Sequence, residues 1–283
     1  MAKSRLFGAD RAPKGDAAYL KGLARRYVIR ALNTTERVRR AALYAQARGA
    51  KPRLVAQGDS WFCYPLPTPV DTLQHLSQDY AVKTLAGGAR RLNVMTQPHL
   101  LNRLSRIICE EQPEAVLLSG GGVDLLDMMN ARAARPRGMP TAFVQGDDPI
   151  NHEAVIALFN DVEARLGLLA RTALAAGAPR VILVGYDVLR VWPKPGQTIR
   201  DSLDMVGVAP EGQQEAVNRL MDMLFQAHGR AVNQVTGFSY VSAQNLADPY
   251  DTWPDEAHSH TAGYAKIADA VRMALARPAA RAK

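Results

Sequence analysis

The stretch 54-LVAQGDSWFCYP-65 changes character midway: a short apolar run stops at Gly58-Asp59-Ser60 and gives way at once to aromatics. A run of this length bounded by glycine has the form of a buried strand. A hydroxyl where a core strand ends is either a residue that caps a turn or helix or a nucleophile presented at the rim of a sheet. Glycine two positions before Ser60 lets the backbone turn tightly there and leave the hydroxyl at a strand-to-helix junction, with the positive end of the next helix aimed at it.

Outward from this stretch the chain alternates. Apolar segments 53-RLVAQ-57, 81-AVKTLA-86, 114-EAVLLSG-120, 180-RVILVGY-186 and 238-FSYVS-242 are separated by helical patterns at 70–78, 98–111, 151–177, 212–235 and 262–276. Short apolar strands alternating with helices argue for a parallel sheet covered on both faces, an α/β fold of three layers, α/β/α. Residues 15–49 are rich in Ala, Leu, Arg and Tyr at helical spacing without proline, and read as one long or two shorter helices. The chain thus divides into a helical N-terminal leader over 1–50 and an α/β domain over 51–283. Two stretches, 127–150 and 187–211, break the rhythm. Each follows a predicted strand and lies at the carboxyl edge of the sheet, where open α/β folds bind ligands, so both are candidate pocket-wall loops.

A chain of 283 residues, 47% of them hydrophobic, can bury a generous core in at most two domains. The formal net charge of +8 raises the prospect of a nucleic-acid partner. The basic residues are scattered, however, with modest clusters at 21–26, 36–40 and 103–106, so a solvated basic face is the reading and no nucleic acid is expected. Cys63 and Cys109 are too few for a disulfide framework and read as free thiols. No apolar segment has the length of a signal-peptide core or a membrane span, which makes cytoplasmic the expected location.

A serine nucleophile needs a base, and the base needs an orienting acid. The segment 253-WPDEAHSHTAGYAKIADAV-271 places Asp255 and His258 three residues apart just before the last helix. That spacing lets the carboxylate hold one imidazole nitrogen while the other faces outward. His260 and the His-Ser-His triplet also admit a metal reading with Asp255 as third ligand, but no further His, Cys or Asp completes a site at a recognisable spacing. No metal or other cofactor is expected.

In order and placement these blocks resemble the SGNH (or GDSL) hydrolase family, whose nucleophile lies in a GDS block after the first strand and whose acid and base lie in a DxxH block before the last helix. Gly58-Asp59-Ser60 match the first and Asp255 to His258 the second, followed by Gly263 and Tyr264 as in the family pattern. The resemblance spans 53–276, and no GxSxG elbow is present. It implies a mainly parallel, flavodoxin-like sheet of about five strands and a serine esterase or acyl hydrolase that cleaves carboxylic esters through an acyl-enzyme. Ser60 would attack, His258 would act as base and then acid, and Asp255 would orient the histidine.

The resemblance also implies an oxyanion hole built from the backbone N–H groups of Ser60 and of a glycine after the second strand, matched here by Gly88 in 85-LAGGAR-90. The family adds an asparagine in a GxND block after the third strand, and there this chain departs. In 119-SGGGVDLLD-127 the asparagine slot holds Val123, which has no donor, while Asp124 fits. Either another donor such as Asn130 or Asn151 covers that corner, or backbone groups suffice, or the chain is a weak or inactive enzyme that binds through the same fold. Val123, Asp124, Trp192 and Trp253 are candidate pocket residues, and Trp61 either walls the pocket or packs beneath the nucleophile. The expected partner is a small-molecule, lipid or glycan ester, with its identity and the oligomeric state left open by the sequence.

Overall fold

A computed structural model describes residues 17–64, 69–130, 140–192, 198–246 and 255–277, with side chains from Ala31 onward. Strands β1 (Arg53–Gln57), β2 (Ala81–Thr84), β3 (Ala115–Leu118), β4 (Val181–Val184) and β5 (Phe238–Val241) form one sheet in the order β2-β1-β3-β4-β5. Every neighbouring pair is parallel, with Leu54 of β1 opposite Val82 on one side and Ala115 on the other. The strands β3 and β4 are buried at every position, which explains why their sequences run apolar without alternation.

Helices cover both faces. On one, α2 (Thr72–Leu76) packs against α9 (Thr261–Ala276). On the other, α4 (Pro98–Glu111), α6 (His152–Ala175) and α8 (Pro210–Asn233) pack in succession. This is the three-layer α/β/α sandwich, with the crossovers that join parallel neighbours supplied by helices.

Three further helical segments lie where loops or no element were expected: α3 (Leu92–Met95), α5 (Gly122–Met129) and α7 (Thr198–Met205). Helix α5 starts inside the glycine run. Gly121 caps it at φ 102, a left-handed conformation that glycine takes without strain, and Leu125 and Met129 bury one face four residues apart. Helix α7 forms within the 187–211 insertion because Ile199 and Leu203 are buried at the same spacing. The Glu256 carboxylate accepts from the N–H groups of Ile199 at 3.1 Å and Arg200 at 3.4 Å, satisfying the first turn.

Among the described residues ahead of β1, Ala17–Ala47 form one helix, α1, which runs beside β2. Its inner face is anchored by Arg40. The buried guanidinium donates from Nε to Glu36 at 2.6 Å, from Nη1 to the Phe62 carbonyl at 2.8 Å and from Nη2 to Asp71. Asp71 in turn accepts from Tyr64 N–H at 3.0 Å and caps α2 through Gln74 N–H at 3.1 Å. Burial works against the Arg40 cation, but the Asp71 and Glu36 carboxylates outweigh it and raise its pKa. One side chain thus ties α1, α2 and the segment after Ser60 together. Removing one partner of a buried ion pair leaves the other charge uncompensated. Arg40→Ala should therefore lower the unfolding free energy by about 3–5 kcal/mol, measured by urea denaturation. A loss under about 1 kcal/mol would mean the network is worth no more than an exposed pair.

Candidate active site

The strand order reverses between β1 and β3, so the crevice at their carboxyl ends is the switch point where sheets of this order take ligands. Ser60 follows β1 and α5 follows β3, which sets them on neighbouring strands at that edge. Gly58 keeps them close: a Cβ there would lie 2.9 Å from the Phe62 ring and 3.0 Å from Ser119 Cβ. The expected helix directly after Ser60 is absent. Phe62 and Cys63 N–H groups both bond the Asp59 carbonyl, at 3.2 and 3.0 Å, and close a single turn, while the next helix, α2, begins at Thr72. No helix end therefore faces Ser60 from its own loop.

His258 Nε2 lies 2.7 Å from Ser60 Oγ, and His258 Nδ1 lies 2.8 Å from both carboxylate oxygens of Asp255. The carboxylate also accepts from the N–H groups of Ala257 at 2.8 Å and His258 at 2.9 Å. Burial alone would push the Asp255 carboxyl up, but the His258 hydrogen bond, the histidine's charge and these N–H groups hold it below the usual value. An ionised carboxylate only accepts, so Nδ1 carries the proton and Nε2 presents its lone pair to the serine hydroxyl. His260, the rival in the metal reading, is the N-cap of α9: its Nδ1 accepts from Ala262 N–H at 3.1 Å.

The turn that carries Ser60 rests on a buried polar and aromatic layer. Asp59 accepts from Tyr186 Oη at 2.6 Å and from Trp61 N–H at 3.1 Å, and burial pushes its carboxyl above the usual range despite both bonds. Trp61 is packing and not a pocket wall. It is 4% exposed, donates from Nε1 to the Ala257 carbonyl at 3.1 Å, and meets Tyr186 and Tyr264 edge to face. Tyr64 packs edge-on to the His258 ring, with centroids 4.8 Å apart. Burial and the nearby Asp255 charge push its hydroxyl up to about 12, so it stays neutral beside the imidazole.

The backbone groups that the resemblance nominates for an oxyanion hole are placed less simply than the sequence suggests. Ser60 N–H has no hydrogen-bond partner among the described residues. Gly88 N–H, by contrast, donates to Asn33 Oδ1 of α1 at 2.8 Å, and Asn33 Nδ2 donates back to the Gly88 carbonyl at 3.1 Å. Gly87 N–H is spent on the Gly58 carbonyl at 3.1 Å. Val123 sits half-buried in the first turn of α5. Asp124 accepts from Leu92 N–H at 3.1 Å, and burial pushes its carboxyl up to about 6. Asn151, one candidate for the missing donor, caps α6 through Ala154 N–H at 3.3 Å, and Asn130 is the C-cap of α5.

Trp192 is partly exposed at the end of the second insertion, where its backbone N–H bonds the Glu256 carboxylate. Trp253 lies outside the described residues. Sequence reasoning missed Glu256, Tyr186 and Asn33. Glu256 neighbours Asp255 and holds the α7 insertion against the segment carrying His258, with Arg190 N–H also on its carbonyl at 3.0 Å. The signal in each case is a polar residue inside an apolar or helical pattern, and that pattern says nothing of its partner.

No known protein family matches this chain, and no curated protein matches it. Among solved structures it is similar to a candidate platelet activating factor from Streptococcus pneumonia, at 14% identity over 91% of this chain and 99% of that one, with a TM-score of 0.44. It is similar also to a family 3 carbohydrate esterase from Clostridium thermocellum, at 14% identity over 79% and 94% of the two chains and a TM-score of 0.44. A third is an acetyl xylan esterase from Butyrivibrio proteoclasticus, at 10% identity over 79% and 63% and a TM-score of 0.44.

Proposed function

We propose that this chain is a serine-dependent ester hydrolase with Ser60 as nucleophile, His258 as general base and then acid, and Asp255 as the group that orients the imidazole. The observation that carries the reading is the unbroken hydrogen-bonded line from Ser60 Oγ through both ring nitrogens of His258 to Asp255. Three side chains of these types in this linkage are what acyl transfer requires. In the first step His258 Nε2 takes the hydroxyl proton while Oγ attacks the ester carbonyl. Collapse of the tetrahedral species expels the alcohol, which leaves with the proton from Nε2, and an acyl-serine remains. Water then adds to the acyl carbon, gives its proton to Nε2, and the acid departs as Ser60 recovers its proton. Asp255 stays ionised throughout and stabilises the imidazolium formed in each half.

The tetrahedral oxygen bears a full charge, and the unspent N–H of Ser60 is its first donor. Gly88 is the second only when Asn33 Oδ1 releases its N–H. With Val123 in place of a side-chain donor, this hole is short of hydrogen bonds, which favours slow turnover. The same two features support the alternative of a binding protein that keeps the fold and turns over poorly.

Ser60→Ala should abolish fluorophosphonate labelling and lower p-nitrophenyl acetate hydrolysis by at least about a thousandfold with the far-ultraviolet dichroism unchanged. Hydrolysis undiminished in that variant would exclude the mechanism, and a wild-type chain that takes no label would favour the binding reading. His258→Ala should lose as much activity as Ser60→Ala, since the residues act as a unit. His260→Ala should instead cost about 1 kcal/mol of stability through the lost cap and little rate. Equal kinetic losses in the two, or activity removed by EDTA, would point to a metal site. Val123→Asn should raise kcat more than it lowers KM, by up to about 10². A rate unchanged in a folded variant would show that the corner lacks no donor.

A further inference from the structure

The basic clusters at 36–40 and 103–106, which read as solvated faces in the sequence, each contribute one arginine, Arg37 and Arg103, whose charge acts on Arg90. Arg90 follows the Gly87-Gly88 turn. Its guanidinium lies along Gly87, where a Cβ would meet Nη2 at 3.2 Å and Cζ at 3.3 Å, and its Nη1 donates to the Leu85 carbonyl. Because Gly87 N–H bonds the Gly58 carbonyl, Arg90 stands one backbone layer from the turn that carries Ser60. Arg37 comes from α1, donating to the Asn33 carbonyl and Thr34 Oγ1, both at 3.2 Å, and Asn33 is the residue that clamps Gly88. Arg103 comes from α4 with an exposed side chain.

The neighbours of these residues are neutralised: Arg39 and Arg40 by Glu36 and Asp71, Arg91 by Asp127, Arg106 by Glu110. Among the described residues no carboxylate pairs with Arg37, Arg90 or Arg103. Burial first, and then the charges of Arg37 and Arg103, push the Arg90 guanidinium below its ordinary value. Gathering like charges without a counter-ion is unfavourable, most of all for the half-buried member, and an anion placed among them relieves it. Guanidinium forks suit the planar oxygens of carboxylate and phosphate.

We propose that Arg90, flanked by Arg37 and Arg103, forms an anion subsite beside the nucleophile turn, which holds a carboxylate or phosphate carried by the ester substrate. This rests on the hydrolase reading and narrows its substrate class to acidic esters. The test pairs a charged ester with a neutral one. The ratio of kcat/KM for mono-p-nitrophenyl succinate to that for p-nitrophenyl acetate should fall about tenfold in Arg90→Gln. In Arg103→Gln, whose exposed side chain makes no hydrogen bond or ion pair among the described residues, it should fall about threefold. Inorganic phosphate should compete with the succinate ester in the wild type and more weakly in Arg103→Gln; competition stronger than that of succinate assigns the subsite to phosphate esters, weaker to carboxylates. Ratios unchanged in both variants, with no phosphate competition, overturn the proposal. If the wild type cleaves neither ester the hydrolase reading fails, and the subsite is then judged by calorimetric titration with inorganic phosphate at low salt. Binding lost in Arg37→Gln and Arg103→Gln supports it, and binding absent from the wild type or retained by both variants overturns it.

Discussion

Ser60 and His258 are 198 positions apart in the chain and 2.7 Å apart in space, and the rest of the fold has to keep that one hydrogen bond in register. The sheet order supplies the coarse placement. Because β1 is an interior strand, next to the edge strand β2, and the last helix returns to the face covered by α2, the start of α9 comes back over the turn that leaves β1. Side chains supply the fine placement. Thr261 at the start of α9 accepts from Val70 N–H at 3.1 Å, Arg272 donates to the His75 carbonyl at 2.8 Å, and Trp61 Nε1 holds the Ala257 carbonyl. A hydrogen-bonded line of three side chains tolerates little misplacement, and here several independent bonds join the two segments that meet in it.

The electrostatics beneath Ser60 serve the same end. Two carboxylates, Asp59 and Asp71, are buried within the segment that follows β1, and each is satisfied by donors from a different element. Asp59 draws on Tyr186 and the turn's own backbone, while Asp71 draws on Arg40 of α1 and on α2. A buried carboxylate with several directed donors fixes the donors as much as itself. The turn carrying Ser60 is therefore braced from the core by one and from the sheet edge by the other.

Helix α1 gains its significance from this bracing. Read alone it is an Arg- and Ala-rich helix ahead of the fold. In place, Arg40 supports the segment after Ser60 and Asn33 occupies both polar groups of Gly88. The helix thus occupies the backbone polar groups of the turn beside β1's end, and it carries Arg37 next to Asn33.

The sequence by itself determined the strands, most helices and the order of the chemical blocks. These follow from local rules: a strand buried on both faces must be apolar throughout, as in 181-VILV-184, and a helix with one buried face must repeat near every fourth residue, as in 98–111. Asp255 and His258 were legible because three residues of spacing fix their mutual reach. Tertiary structure alone decided the partners of polar groups distant in sequence. Nothing local tells Asn33 to bind Gly88, Glu256 to cap α7, or Trp61 to turn inward to Ala257, and α5 hides in a glycine run because its cap and packing, not its propensity, stabilise it. Hydrophobic pattern records only whether a side chain meets water or core. A hydrogen bond between distant residues, such as that of Asn33 with Gly88, depends on which elements the completed fold sets side by side.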